Sequence, residues 1–233
     1  MANLNEKKSA QNPEESLNKR EAFFMKNKKA ILYTVAAIIV AIAGIIIYNN
    51  LVSEPREDKA STSLAMGQEY FANEQYEKAL NGDSTGYAGF IKVADEYSST
   101  DAGNLANLYA GLCYAHLGKW NEAVKYLENY SSADDITVSP NAMSALGDAY
   151  ANTNQLDKAV DCFKKAAKMA DSDAFEGKNN TLSPTYLIKA AEILESQNNK
   201  DEALKIYEDI KKNYTNSPLS QEIDKYIERV SAK

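Results

Sequence analysis

Cysteine, histidine and tryptophan are nearly missing from this sequence: two, one and one among 233 residues. Two cysteines cannot staple a small disulfide scaffold. A single histidine, His116, with no HExxH or CxxC spacing and no glycine-rich phosphate loop, offers neither a metal ligand set nor a nucleotide cradle. No cofactor, metal or catalytic residue is therefore expected. A basic excess is missing too, since the chain carries −7 overall. Up to Lys29 there are seven bases against four acids, so the remainder holds −10. An acidic body without a basic stripe repels phosphate backbones, which argues against nucleic acid as a partner. Its many carboxylates read as solvated helix faces rather than catalytic pairs.

One long apolar run is present. Residues 30–48, AILYTVAAIIVAIAGIIIY, carry no charge over nineteen positions and as a helix would reach about 28 Å, close to the hydrocarbon thickness of a bilayer. A core helix would show a polar face, and this run has only Tyr33, Thr34 and Tyr48. The small-x-small triplet Ala41-Ile42-Ala43 resembles a signal-peptide cleavage site, but Ile45, Ile46 and Ile47 continue the run beyond it, so an uncleaved anchor is the better reading. No cysteine follows to carry a lipid. Lys26, Lys28 and Lys29 crowd the N-terminal flank, whereas Arg56 and Lys59 are mixed with acids on the far side. This predicts a cytoplasmic N-terminus and an exported body, the topology of a bacterial inner-membrane protein with a periplasmic domain. Asn12-Pro13 has the form of a helix start. Ala30, Thr34, Ala37, Ala41, Gly44 and Tyr48 recur at steps of three and four, forming a stripe of small and polar residues against which a second membrane helix could pack.

The rest of the chain repeats itself. Gly67, Gly111, Gly147 and Ala191 are each followed three residues later by Tyr70, Tyr114, Tyr150 and Leu194, and nine residues after those by Ala79, Ala123, Ala159 and Ala203. Small residues on a first helix let a second approach, the large residue fills the space beside the crossing, and the alanine accepts it. The pattern resembles the tetratricopeptide repeat family, W-x2-L-G-x2-Y then A-x3-F. The third unit is the fullest match, with Leu146, Gly147, Tyr150, Ala159 and Phe163. The first departs: Asp83 stands where the large residue belongs, so its second helix is expected to break and resume near Tyr87. Successive small positions lie 44, 36 and 44 residues apart, which assigns extra residues to 81–86 and to a long polar loop over 171–183. Ser139-Pro140, Ser183-Pro184 and Ser217-Pro218 read as capping serines before a first-turn proline. The segment after Ser217 puts Leu219, Ile223, Tyr226, Ile227 and Val230 on one face, suited to covering the end of the array.

The expected fold is thus all-α: a cytoplasmic basic segment (1–29), a single transmembrane helix (30–48), a connector (49–59), four tetratricopeptide-type repeats in a helical-repeat solenoid (60–216) and a capping helix (217–233). The resemblance implies a peptide-binding groove on the first helices. Carried over, its residues are Leu64, Gln68 and Phe71 in unit one, and Leu105, Leu108, Leu112, Ala115 and His116 in unit two. Units three and four add Ser144, Asp148, Ala151 and Asn152, then Ile188, Glu192 and Glu195. None is Lys or Arg, so a carboxylate clamp is absent and the groove should suit apolar segments, with an acidic far end favouring basic ones. Anchor and exported array together are similar to the ancillary SecYEG translocon subunit family. That likeness implies a chaperone-like scaffold whose partners are other proteins (translocon subunits, periplasmic folding factors or exported clients) and no small-molecule substrate. An organiser of cell-envelope division or outer-membrane assembly is the alternative, and a helical hydrolase a third. Cys113 and Cys162 fall on non-adjacent helices of such a stack and are expected to be separate thiols. Asp83-Ser84-Thr85 resembles an O-glycan acceptor but reads more simply as a polar loop.

Overall fold

The computed structural model describes the backbone of residues 13–172 and 174–232 and the side chains of residues 21–172 and 174–232. Asn12, the residues before it and the side chains up to Arg20 lie outside the described residues. The chain forms two compact units, one ending at Pro55 and one beginning at Arg56.

In the first unit α1 (Pro13–Tyr48) is followed by a π-helical stretch, Asn49–Ser53. The widened turn comes directly before Pro55, which has no N–H to donate and whose ring needs room against the carbonyl four residues back. Ile38, Ile42, Ile45, Ile46 and Ile47 are all exposed, and the Thr34 hydroxyl is satisfied within the helix, donating to the Ala30 carbonyl at 2.9 Å. A helix this long and apolar, with none of its most hydrophobic window buried, meets the length and composition needed to cross a membrane.

The second unit is helical throughout, with no strand among its described residues. Its helices pair in sequence: α2 (Glu54–Ala72) with α3 (Tyr76–Asn81) and α4 (Phe90–Glu96), α5 (Asp101–His116) with α6 (Trp120–Glu128), α7 (Val138–Asn152) with α8 (Leu156–Ser172), and α9 (Leu182–Ser196) with α10 (Lys200–Asn213). A short 3-10 turn, Pro218–Gln221, leads to α11 (Ile223–Ser231), which lies on α10 and buries Ile223 and Val230. Small residues do set the crossings. A methyl group added at Gly147 would stand 2.9 Å from the Phe163 ring, one at Gly111 2.6 Å from Leu127 Cγ, and one at Gly67 2.4 Å from the Phe90 ring. Across from them Ala79, Ala123, Ala159 and Ala203 are completely buried. In each unit the turn between paired helices places one residue in the left-handed region: Glu74, Gly118, Asn154 and Asn198, with φ of 58°, 70°, 61° and 60°. The next N–H then bonds to the carbonyl five residues back, as from Gln155 to Tyr150 at 2.9 Å, closing the helix end.

The break in unit one lies between α3 and α4. Asp83 organises it, accepting from the Tyr70 hydroxyl, the Thr85 N–H (2.7 Å) and hydroxyl (2.8 Å), and the Tyr87 N–H (3.1 Å). These bonds, Tyr70's first, hold its carboxyl well below the usual range. Ser84 and Thr85 are exposed on this loop.

Two of the three Ser-Pro caps are not caps. α7 and α9 begin at Val138 and Leu182, so Ser139 and Ser183 sit inside the first turn, fully buried. The end of α7 is satisfied instead by Asp135, which accepts from the N–H groups of Thr137, Val138 and Ser139, and that of α9 by Asn179, which accepts from Thr181 and Leu182. Ser217 does cap, accepting from the Leu219 N–H at 3.1 Å. Residues 56–59, expected in the connector, belong to the packed body. Arg56 donates to the Glu96 carbonyl at 2.7 Å, and Glu57 accepts from the first N–H groups of α5 at 2.8 and 2.9 Å. A carboxylate there faces the positive end of the helix dipole.

Candidate functional site

The first helices of units two and three leave a cavity of about 300 Å3 between them, lined by Leu112, Ala115, His116, Trp120, Ala145, Asp148 and Asn152. Residues expected to line a groove thus do gather: Leu112, Ala115 and His116 from α5, Asp148 and Asn152 from α7. Trp120, at the start of α6, supplies an aromatic wall. The volume is at the lower end of the roughly 300–1,000 Å3 used by small-molecule sites, and suits one large apolar side chain of a partner. The Asn152 amide nitrogen donates to the Asp148 carbonyl at 2.8 Å, which leaves its carbonyl oxygen as an acceptor for an incoming backbone N–H.

Beside the cavity, His116 stacks on Tyr76 with ring centroids 4.5 Å apart and only 6° between planes. Phe71 packs edge-on against Tyr76, Tyr109 and His116 at 5.6, 5.3 and 5.8 Å. Units one and two are therefore joined by an aromatic cluster that continues the cavity wall. Burial, then the nearby Glu74 carboxylate, pushes the Tyr76 hydroxyl above its ordinary value, so it remains a neutral donor. On the other side Lys189 bonds both Asp148 oxygens, at 2.9 and 2.8 Å, while its ammonium lies 5.2 Å from the Phe163 ring centre. The acid of the cavity is thereby neutralised. At the far end Glu195 is likewise engaged, by Arg229 at 2.5 Å and the Tyr207 hydroxyl at 2.5 Å. Burial alone would raise its carboxyl, but these partners together hold it below its ordinary value.

Several expected groove residues lie elsewhere. Leu64, Leu108, Ser144 and Ile188 are buried between helices and have no open side to offer. Their flank of each first helix faces the neighbouring helices, and Leu64 belongs to the unit-one core with Leu80, Phe90 and Val93. Gln68 and Leu105 are half-buried, and Leu105 packs where the two buried clusters of the body meet. Ala151 is half-buried and Glu192 exposed, neither of them lining the cavity. The sequence reading missed Tyr76, Tyr109 and Lys189. Tyr109 and Lys189 each follow a residue that had been placed in the groove, so an offset of one position, about 100° around a helix, separates the buried side chain from the one that reaches the site. On α1 the stripe Ala30, Thr34, Ala37, Ala41, Gly44 and Tyr48 is exposed, with nothing within 4 Å of a methyl added at Gly44.

Both thiols are free. Burial pushes Cys113 up to about 12 and Cys162 up to about 11, so neither is a thiolate nucleophile at neutral pH. Among the described residues no three His, Cys, Asp or Glu side chains are grouped to hold a metal ion.

Residues 69–226 match the family described as soluble NSF attachment protein, SNAP. No curated protein matches the chain. Among solved structures, two crystal structures of nearly identical TPR-like repeats from a Podosopora anserina kinesin light chain superpose with a TM-score of 0.55 at 14% identity, covering 75% of this chain and 85% and 86% of theirs. At that identity the likeness speaks for the TPR-like helical-repeat fold alone.

Proposed function

Because the chain belongs to the soluble NSF attachment protein family, whose name describes attachment to another protein, we propose that it is a non-enzymatic scaffold that binds protein partners in the aromatic-walled groove of units one to three. The observation that carries this is the convergence of Leu112, His116, Trp120 and Asn152 on one open cavity, where the Asn152 side-chain carbonyl can accept from a partner's backbone N–H. An apolar anchor side chain of the partner enters it, and the extended chain on either side lies along Tyr76 and Tyr109. With Asp148 held by Lys189, the selection is for apolar rather than basic segments.

The finer reading adds a membrane. α1 lies upstream of the family match and spans a bacterial inner membrane, its basic flank in the cytoplasm and the repeats in the periplasm, with its stripe of small residues admitting a partner helix. The partners are then translocon subunits, periplasmic folding factors or exported clients. The base asymmetry about the apolar run supports the orientation, and the pairing of anchor with repeats supports a place at the export machinery. A coordinator of envelope assembly is the second reading, favoured by the same features.

Two measurements test these statements. A reporter active only outside the cytoplasm, fused after Lys233, should be active, and cytoplasmic activity would remove the periplasmic assignment. Ala145→Glu puts a charge into the cavity at a half-buried position and should lower recovery of the partner from solubilised membranes roughly tenfold or more while leaving thermal melting unchanged. If the same proteins co-purify in the same amount, this groove is not the binding site. Whether translocon or wall machinery is recovered separates the two readings.

A further inference from the structure

One edge of the repeat body carries the starts of α2, α5, α7 and α9, and hydrogen bonds knit it together. Glu57 accepts from Asp101, Asn104 donates to the Ser131 carbonyl at 2.7 Å, Tyr186 donates to Asn141 at 2.8 Å, and Tyr214 donates to Asp171 at 2.6 Å. This is also the edge at which the chain enters the body at Arg56. The connections before α7 and α9 therefore lie on the entry edge. Together they carry Ile136, Val138 and Phe175, exposed by 48%, 44% and 89%. Apart from Met66, these are the large apolar side chains left exposed among the described residues from Arg56 onward. The turn that bears Phe175 is tied at its base, with the Gly177 N–H donating to Ala174 at 2.9 Å and the Asn179 N–H to the Asp171 carboxylate at 2.7 Å.

We propose that this edge rests on the surface of a bilayer, with Phe175, Ile136 and Val138 seated among the headgroups; the proposal rests on α1 spanning that bilayer. The covalent chain enforces proximity. Only residues 49–55 separate the apolar run from the body, a reach of about 25 Å even when fully extended. The turns at Gly118, Asn154 and Asn198 lie on the opposite edge, roughly 22 Å farther off by the length of α7. Apolar side chains on two separate loops fit a soft interface, where no shaped pocket is needed to receive them. Among the described residues of these two loops the exposed acids Asp134 and Glu176 outnumber the one exposed base, Lys178, whose ammonium is turned to Asn213 at 3.3 Å, so the loops oppose anionic headgroups and assign the surface to zwitterionic lipid.

The test uses the full chain reconstituted into phosphatidylcholine vesicles, with Cys162→Ala to clear the half-buried thiol and an environment-sensitive fluorophore attached at Phe175→Cys or, on the opposite edge, at Asn154→Cys. The label at 175 should brighten several-fold, shift to the blue and be quenched by shallow spin-labelled lipid, while the label at 154 stays as in water. Adding phosphatidylglycerol should weaken the response at 175. Equal, water-like signals at both positions in protein that floats with the vesicles would overturn the proposal. So would a response seen only in native membranes, which would make a protein surface the occupant. Failure to float would overturn the anchor itself, and this proposal with it.

Discussion

Gly147→Leu is expected to lower the stability of the repeat body by about 3 kcal/mol, at the upper end of what overpacking a filled core costs. A methyl group at this position already comes within 2.9 Å of Phe163 Cε1 and 3.0 Å of Cζ, and the ring is 1% exposed, with nowhere to turn. The leucine adds three further carbons, so α7 and α8 must separate. For a body of this size the midpoint should fall by roughly 6–12 °C. Trp120, the only tryptophan, stands against α7 across the cavity and can report the transition. Damage should reach α9, because Lys189 lies over the displaced ring and because each unit is supported by its neighbours. Adding Phe163→Ala should recover part of the loss, a non-additivity that only a direct contact produces. An unchanged midpoint for the single variant would show that the helices do not cross at Gly147.

Ile223→Asp is expected to cost as much, by a different route. Ile223 is 1% exposed at the start of α11, and a carboxylate there would be buried without a partner, so the helix should lift off rather than bury it. Lifting bares Tyr207 and Ile210, both completely buried. Exposing two such side chains costs roughly 3–6 kcal/mol. Of the ion pairs on the same helix, Lys211 with Asp224 is exposed on both sides, and Arg229, half-exposed, pairs with a Glu195 that keeps the Tyr207 hydroxyl as a second partner, so Arg229→Ala should cost about 1 kcal/mol. Hydrogen exchange along α10 is the measurement. Full protection of α10 in Ile223→Asp would mean that α11 does not close the array, and a larger loss from Arg229→Ala would mean that its docking is ionic.

The fold was legible where packing demands a small residue. Gly67, Gly111 and Gly147 have no room for even one more carbon, and the same demand recurs wherever the same crossing does, so spacing alone revealed it. The interruption after Ala79 was legible for the converse reason, because Asp83 cannot occupy the place of a buried aromatic. Capping was misread at Ser139 and Ser183. A serine before a first-turn proline satisfies the usual rule, and only the fold shows Asp135 and Asn179 reaching the same N–H groups from farther upstream. The groove was half legible. Leu112, His116, Asp148 and Asn152 do meet on one cavity, but on a helix packed on several sides, burial is decided by the neighbours' positions. Leu108 and Ile188 therefore went into the core while Tyr109 and Lys189 reached the surface. Phe175 was passed over because its loop is polar on either side, and nothing local in the sequence shows that its ring finds no cover.

The break in unit one has a mechanical meaning. The buried side chains of the body form two clusters that meet along α5, and the smaller, around Leu64, Leu80, Phe90 and Val93, includes the helix interrupted between Asn81 and Phe90. Tension applied through the N-terminal end of the chain enters the body at α2 and loads that smaller cluster first. Unit one should therefore yield while units two to four hold, since each unit leans only on its neighbours. Residues 56–100, once released, would pay out as a cord of about 150 Å, carrying the remaining units that far from their point of attachment and taking Phe71 and Tyr76 out of the groove as they go.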